Sequence, residues 1–285
     1  LWQRRIVREL GADAYDFSHD RIREVAQAVI SQTQRRLLHR RAAQALEMVH
    51  TADLDPVIGQ IAAHYERAGL AEPAIASYLR AAEVARRLYA TQDAISYFMS
   101  GLALLNSLPD PTLRVHQEIA LQIGLGNALI AAEGMDFPDA RRAFARARDL
   151  CQQVGEMPAQ LFPALWGLWL SYVSNAEHQT AWSLGDQLLR LSRREDEPDL
   201  LLQAHHTLWA TSFFLGEFEA TLGHCEQGTA LYEPQKHHRQ LYRYGEHDAG
   251  VCGLSVGSLA LWALGYPDQA LRRALQALAT AQELA

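Results

Sequence analysis

Apolar residues recur three and four positions apart along almost the whole chain from about residue 19 onwards. This spacing places them on one face of an α-helix, whereas the period-two alternation of half-buried strands is almost absent. Prolines in Glu72-Pro73 and Asp110-Pro111, and the capping sequence Ser31-x-x-Gln34, mark helix starts. The pattern predicts an all-α protein of consecutive helices joined by short turns.

The first residues depart from this helical pattern. The segments Arg4 to Glu9 and Tyr15 to Ser18 flank the turn Gly11-Ala12-Asp13 and predict a small β-hairpin, an element that is marginally stable alone. The chain begins inside this feature and ends inside a helical pattern at Ala285. We therefore expect it to be part of a longer protein.

A repeated pair of helices underlies the rest of the pattern. One stretch matches the tetratricopeptide repeat at Ile58, Ile61, Ala62, Tyr65, Gly69, Ala74, Tyr78 and Ala81. A second stretch matches it at Leu254, Gly257, Ser258, Leu261, Gly265, Ala270, Ala274 and Ala277, and weaker copies centre on Ala94, Ala140, Ala181 and Thr221. Most copies lie about 40 residues apart instead of the usual 34, which predicts longer helices.

The residue types at the repeat positions have a geometric reason. Small side chains let two antiparallel helices approach closely, and large ones fill the remaining gaps. Stacked pairs coil into a superhelix with a concave inner surface. We expect residues 51–285 to form an all-α, right-handed α/α superhelix of tetratricopeptide-like helix hairpins, preceded in residues 1–50 by the β-hairpin and linking helices.

Composition excludes several classes of protein. With 285 residues, 49% hydrophobic and 21% charged, the chain can bury a core and is too apolar to be disordered. No apolar run reaches the roughly 20 residues of a membrane span, no secretory signal is present, and three scattered cysteines do not form a disulfide framework. We expect a cytoplasmic protein without a membrane partner.

The charge pattern argues against a nucleic-acid partner. The net charge is -7 and Lys236 is the only lysine, whereas phosphate binding needs clustered Lys and Arg. A basic run is present at Arg35, Arg36, Arg40 and Arg41. We expect Leu37, Leu38 and other apolar residues to supply a buried stripe on the same helix, so that packing and a solvated face explain this run.

Two parts of the chain carry a family resemblance. Residues 15–26 (Tyr15 to Ala26), followed by residues 35–41 (Arg35 to Arg41), resemble the boundary between the winged-helix region and the helical repeats of large bacterial signal-transduction ATPases. The resemblance implies that residues 1–50 end a winged-helix-like region. It also implies a nucleotide-binding switch upstream, and a cyclase, protein kinase or DNA-binding output domain elsewhere in the parent chain.

The second part favours one branch of that family. Residues 234–237, 244–251 and 261–270 are similar to the repeats of the cyclase-type branch, although Ala249 stands where that branch has proline. No Gly-x-x-x-x-Gly-Lys phosphate loop and no cyclase carboxylate pair occur in this sequence. We therefore expect no enzymatic activity from this segment.

Histidines and cysteines are the candidate metal ligands. The set considered is His205, His206, His224, Cys225, His237, His238, His247 and Cys252. None has His-x-x-x-His, His-Glu-x-x-His or Cys-x-x-Cys spacing, so the sequence predicts neither a metal nor a cofactor. Ser255, His247 and Asp248 lack the nucleophile elbow that a hydrolase needs.

Two places are candidate binding sites. Repeat register assigns to the concave face Glu66, Trp166, His206, Phe213, Ser255 and Trp262, although most aromatic residues between Trp166 and Phe214 should be core. The second place is the loop with Lys236, His237, Arg243, Tyr244, His247 and Asp248. Its basic residues suit an acidic or phosphate-bearing partner, and a solvated helix connection is the alternative interpretation.

The sequence thus predicts a regulatory interaction module. It would bind a partner protein or peptide, or the ATPase domain of its own chain, and so control the switch. The alternative is a small-molecule effector sensor, as in transcriptional activators of this class whose helical repeats bind the inducer. A closed, aromatic-lined pocket would favour the small ligand, and an open groove would favour a peptide or domain.

Replacing Ala74 or Ala270 with leucine tests the repeat register. We expect each variant to lose about 1–3 kcal/mol of stability through overpacking between the paired helices. Thermal melting of both variants beside the unchanged chain measures the effect, and unchanged melting of both would contradict the register.

Overall fold

A computed structural model describes residues 6–9, 15–133, 138–155, 158–238, 244 and 247–284. Strands β1 (Val7–Glu9) and β2 (Tyr15–Phe17) pair antiparallel, with Val7 opposite Phe17. The predicted hairpin is therefore confirmed, and its predicted turn at residues 11–13 lies outside the described residues.

The remaining described chain is almost entirely helical. The helices are α1 (Asp20–Val29), α2 (Gln32–Val49), α3 (Ile58–Arg67), α4 (Ala71–Arg87), α5 (Thr91–Leu104), α6 (Pro111–Glu133), α7 (Pro138–Gln153), α8 (Pro158–Ser174), α9 (His178–Glu195), α10 (Pro198–Phe214), α11 (Phe218–Thr229), α12 (Pro234–His237), α13 (Ala249–Ala263) and α14 (Pro267–Leu284). The capping box predicted at Ser31 is present, since Gln34 N donates to Ser31 Oγ and the Gln34 side chain accepts from Ser31 N.

The chain divides into two compact units, residues 1–81 and residues 82–285. In the first unit α2 packs on α3. In the second unit each helix from α5 to α10 packs on the next, α11 packs on α13, and α13 packs on α14. The predicted domain boundary at residue 50 differs from this division, and it remains a prediction about where the repeats begin.

A left-handed residue ends the first helix of five described helix pairs. These residues are Gly69, Tyr89, Ala176, Gly216 and Gly265, with φ values of 75°, 57°, 59°, 78° and 87°. The next residue donates its N–H to the carbonyl five positions earlier, as Leu70 N does to Tyr65 O at 3.0 Å and Glu217 N does to Ser212 O at 2.9 Å. This is the Schellman arrangement, which satisfies carbonyls that the helix end leaves open.

The same turn fixes where the second helix of each pair begins. Five residues after the left-handed position stand Ala74, Ala94, Ala181, Thr221 and Ala270, and each donates its N–H to the carbonyl of the residue immediately before the new helix. All five side chains are buried. They are the small residues on which the predicted repeat copies centre, whereas the turn before the sixth, Ala140, lies at residues 134–137, outside the described residues.

Burial follows the predicted repeat positions closely. In the first unit Ile61, Ala62 and Ala74 are fully buried, and Tyr65 and Tyr78 are almost so. In the second match Ala274 is the exception because it is exposed on α14, beside the exposed Leu271, Leu275 and Leu278. The predicted long helices are present: α8 and α9 hold 17 and 18 residues, so the two helices alone exceed a 34-residue repeat.

Phe144 marks a close approach of three helices in the second unit. Its ring is fully buried on α7, between Gly126 of α6 and Gly167 of α8. A Cβ atom at Gly126 would stand 2.7 Å from Phe144 Cζ, and one at Gly167 would come closer still. Glycine at these two positions therefore lets three successive helices meet on one aromatic ring.

Replacing Gly167 with alanine tests this close approach. The added methyl group forces the Phe144 ring to move, so we expect a loss of about 1–3 kcal/mol in the free energy of unfolding. Gly223 is the matched control, because it also lies in a helix and a Cβ there meets nothing within 4 Å. Its alanine variant should gain about 0.5–1 kcal/mol. Urea unfolding measures both, and equal stability of the two variants would contradict the packing.

Candidate functional site

The six predicted groove residues do not form one open surface. Glu66 lies in the first unit, where it is exposed and its carboxylate accepts a hydrogen bond from Tyr78 Oη. In the second unit Trp166 and His206 come together, with ring centroids 6.0 Å apart, but each is only 2% exposed. Phe213 and Ser255 are half-buried, and Trp262 is 70% exposed. Trp166 and His206 therefore belong to the core, because the facing helices α8 and α10 cover them.

Helix α10 carries polar side chains into this core. His206 stacks on Trp209 with centroids 4.9 Å apart and meets Trp166 and Trp169 edge to face. Burial, with His247 as a second cause, lowers the pKa of His206 far below its ordinary value. The buried imidazole is therefore neutral at physiological pH, and it can act as a hydrogen-bond partner or as a ligand.

Three potential ligand groups converge at His206. His247 Nε2 lies 3.0 Å from His206 Nε2, and Cys252 Sγ lies 3.7 Å from the same nitrogen. The ligand atoms of all three residues lie within 4.8 Å of one another. We name His206, His247 and Cys252 the His-His-Cys cluster.

Local sequence patterns missed this cluster. His247 and Cys252 are 41 and 46 residues from His206, so they match none of the short metal-ligand spacings. They meet because α13 packs against α10, one helix pair earlier in the stack. The repeat register would have found His247 and Cys252 only in combination with the packing of α13 on α10.

The candidate loop is largely tied to the core. Lys236 forms an ion pair with Asp199, and the buried His237 places Nε2 3.1 Å from the same carboxylate. Glu233 N donates to His237 Nδ1 at 2.8 Å. These contacts hold α12 against the start of α10, so Lys236 and His237 have structural partners.

The later loop residues are anchored as well. Tyr244 is 6% exposed and packs edge to face on Phe162 and Trp166. Asp248 caps α13 by accepting from Val251 N at 2.9 Å, and it also accepts from Tyr232 Oη at 2.7 Å. His247 is exposed. Arg243 lies outside the described residues.

The first unit contains an open cavity with a basic rim. Its volume is about 730 Å³, and its lining consists of Ile30, Gln32, Arg35, Arg36, Leu38, His39, Glu66, Arg67 and Gly69. We name it the basic cavity. Arg36 and Arg67 are exposed at its edge, and Leu38, 50% exposed, adds an apolar contact surface. Glu66, which accepts a hydrogen bond from Tyr78 Oη, shares this lining with three arginines, Arg35, Arg36 and Arg67, so the net charge of the lining is positive.

A histidine pair lies beside the basic cavity. His39 Nδ1 and His64 Nδ1 are 2.9 Å apart, so one imidazole donates to the other. Burial and the positive charge of Arg67 and Arg35 lower the pKa of His39, while burial, His39 and Arg67 lower that of His64. Both rings are therefore neutral at pH 7, and acidification would place two further cations beside the arginines.

The geometry defines a protein of tetratricopeptide-like helical repeats, and comparison with known proteins agrees on the fold. No protein-family model matches the sequence. An uncharacterized protein of Rhizobium meliloti is 30% identical over 266 residues, which cover 91% of this chain and 25% of that protein. The chain thus spans a quarter of the length of this relative. Among the described helices, none combines the length and the apolar character that crossing a bilayer requires.

Solved structures share the fold at low sequence identity. A Rap protein complexed with competence and sporulation factor has a TM-score of 0.60 at 12% identity, covering 93% of this chain and 70% of that one. The quorum sensor NprR of Bacillus thuringiensis has a TM-score of 0.58 at 10% identity, covering 92% of this chain and 70% of that one. A signal-transduction ATPase with a tetratricopeptide repeat sensor, from Pyrococcus horikoshii, has a TM-score of 0.58 at 13% identity, covering 97% of this chain and 50% of that one. The fold class is therefore the predicted all-α superhelix of tetratricopeptide-like repeats.

The histidine pair predicts a pH dependence of stability. Because the folded chain lowers both pKa values below 6.5, the unfolded chain binds more protons below that pH. The stability that the neutral histidine pair contributes is complete above pH 6.5, and it is lost as the pH falls below 6.5 toward the lowered pKa values of the folded chain. We expect a His39→Gln, His64→Gln double variant to lose less stability than the unchanged chain between pH 7.5 and 5.5. Urea unfolding at both values measures this, and equal losses would contradict the role of the pair.

Proposed function

We propose that this chain is a regulatory binding module that takes an acidic segment of a protein in its basic cavity. The segment belongs to a partner protein or to another domain of the same protein. The observation that carries the proposal is the rim of Arg35, Arg36 and Arg67 around an open cavity with an exposed leucine. Clustered guanidinium groups attract carboxylates, bind them with paired hydrogen bonds, and speed encounter with an acidic partner.

The surroundings of the aromatic residues favour a protein segment over a small effector. An enclosed aromatic pocket would suit a small molecule. Trp166, Trp169 and Trp209 are instead at most 2% exposed and pack on one another or on His206. The basic cavity is open and is lined mainly by charged, polar and aliphatic side chains. An extended peptide meets such a surface with both its side chains and its charge.

Proteins of similar fold support a regulatory role. One is a Rap protein in complex with a signalling factor, one is a quorum sensor, and one carries its repeats as the sensor of a signal-transduction ATPase. We propose that this chain is likewise a sensor in the cytoplasm, and that the resembling ATPase class supplies the switch that it controls. In this proposal the residues of this chain bind the partner and transmit the signal, and they do not catalyse a reaction.

Direct binding to a designed peptide tests the proposal. We expect a fluorescein-labelled peptide of alternating glutamate and leucine to bind the chain more tightly than the same peptide with glutamine in place of glutamate. An Arg36→Glu, Arg67→Glu double variant should bind the acidic peptide about tenfold more weakly, since two exposed charge contacts are reversed. Fluorescence anisotropy at low salt measures both dissociation constants.

Arg142→Glu is the control for the change of net charge. Arg142 is an arginine of the second unit whose side chain is 74% exposed, and it is not part of the lining of the basic cavity. Its variant should bind the acidic peptide nearly as well as the unchanged chain. The proposal fails if the glutamine peptide binds equally well, or if the double variant and Arg142→Glu lose affinity to the same extent.

A further inference from the structure

The His-His-Cys cluster has more hydrogen-bonding groups than one nitrogen can satisfy. Gln203 Oε1 lies 3.3 Å from His206 Nδ1, and an amide oxygen accepts, so this contact places the ring proton on Nδ1. His206 Nε2 then offers one lone pair, and both His247 Nε2 and Cys252 Sγ lie close to it, at 3.0 Å and 3.7 Å. A neutral imidazole nitrogen accepts one such hydrogen bond well, whereas a cation between the three atoms would engage all of them.

We propose that His206, His247 and Cys252 form a binding site for a zinc ion. Two imidazole nitrogens and one sulfur are donors that select zinc over the oxygen-seeking calcium and magnesium ions. Zinc–nitrogen bonds of about 2.0 Å and zinc–sulfur bonds of about 2.3 Å place the nitrogens about 3.3 Å apart in a tetrahedron, and nitrogen and sulfur about 3.5 Å apart. The separations of 3.0 Å and 3.7 Å from His206 Nε2 are close to these values, and His247 and Cys252, whose ligand atoms lie within 4.8 Å of each other, would move to about 3.5 Å around the ion.

The surroundings of the cluster suit a metal ligand set. A ligating histidine usually donates its other N–H to an oxygen that fixes its orientation, and Gln203 takes this place for His206. The stacked Trp209 and the edges of Trp166 and Trp169 hold the His206 ring and exclude water on its buried side. The exposed His247 leaves an approach from solvent, and three protein ligands leave a fourth position open.

Binding changes the protonation of one group. The zinc ion takes the place of the proton on Cys252 Sγ, this proton passes to the buffer, and the two imidazoles bind in their neutral form. The ion would link α10, α13 and the segment just before α13. Because the ligands come from two different helix pairs, zinc would stabilise the folded second unit and not the unfolded chain.

Zinc binding to the purified 285-residue chain, expressed without a histidine tag, tests the proposal. We expect one equivalent of zinc in competition with a chromophoric chelator, and a rise in the melting temperature on the order of 5 °C at a hundredfold excess over the dissociation constant. Cobalt(II) in place of zinc should give a thiolate charge-transfer absorption band, because a sulfur ligand is present.

Three variants assign the site. His247→Ala and Cys252→Ser should each weaken zinc binding by about 100-fold or more, and Cys252→Ser should abolish the cobalt thiolate band. His238→Ala is the matched control, a histidine of the same loop whose Nδ1 faces Asp248. Circular dichroism confirms that each variant is folded. The proposal is overturned if the unchanged chain binds no zinc equivalent, or if His247→Ala and Cys252→Ser bind it as tightly as His238→Ala.

Discussion

The left-handed turn between paired helices is the constraint on which the repeat structure depends. At Gly69, Tyr89, Ala176, Gly216 and Gly265 the chain reverses direction, and the following N–H bonds the carbonyl five residues back. This bond closes the first helix where the second begins, and the small residue five positions later is buried at each of these turns. Because the same turn recurs, each pair presents a similar face to the next pair, and stacking can continue.

Close helix packing then decides which residues remain available for binding. Phe144 fills the space that Gly126 and Gly167 leave, and the tryptophans of α8 and α10 fill the core beside it. Side chains that a repeat alone would present to a groove are thereby covered by the neighbouring pairs. The polar and charged groups that remain lie on an exposed rim, as at the basic cavity, or are enclosed in the core, as at His206.

Some buried polar side chains of the second unit find their partners on distant helices, whereas Trp166 Nε1 and Trp209 Nε1 are buried without a hydrogen bond among the described residues. Trp169 Nε1 donates to Thr211 Oγ1, and His206 meets Gln203, His247 and Cys252. Leaving such groups without partners in the core would cost more than most single apolar contacts contribute. The packing of α13 on α10 thereby gathers two imidazole nitrogens and one sulfur within 4.8 Å of one another, the arrangement on which we base the proposed zinc site.

The sequence by itself determined the helices, the turns and the small residues of the repeat, because these depend on local spacing and backbone preferences. It also indicated the hairpin of β1 and β2 and the long helices of the stack. Tertiary structure alone decided that Trp166 and His206 are core, that Tyr244 and Asp248 anchor their loop, and that Cys252 meets His206. Those outcomes depend on which residues about 40 positions apart in the sequence are brought together when the helices stack. The periodicity within one helix carries no information about these long-range contacts.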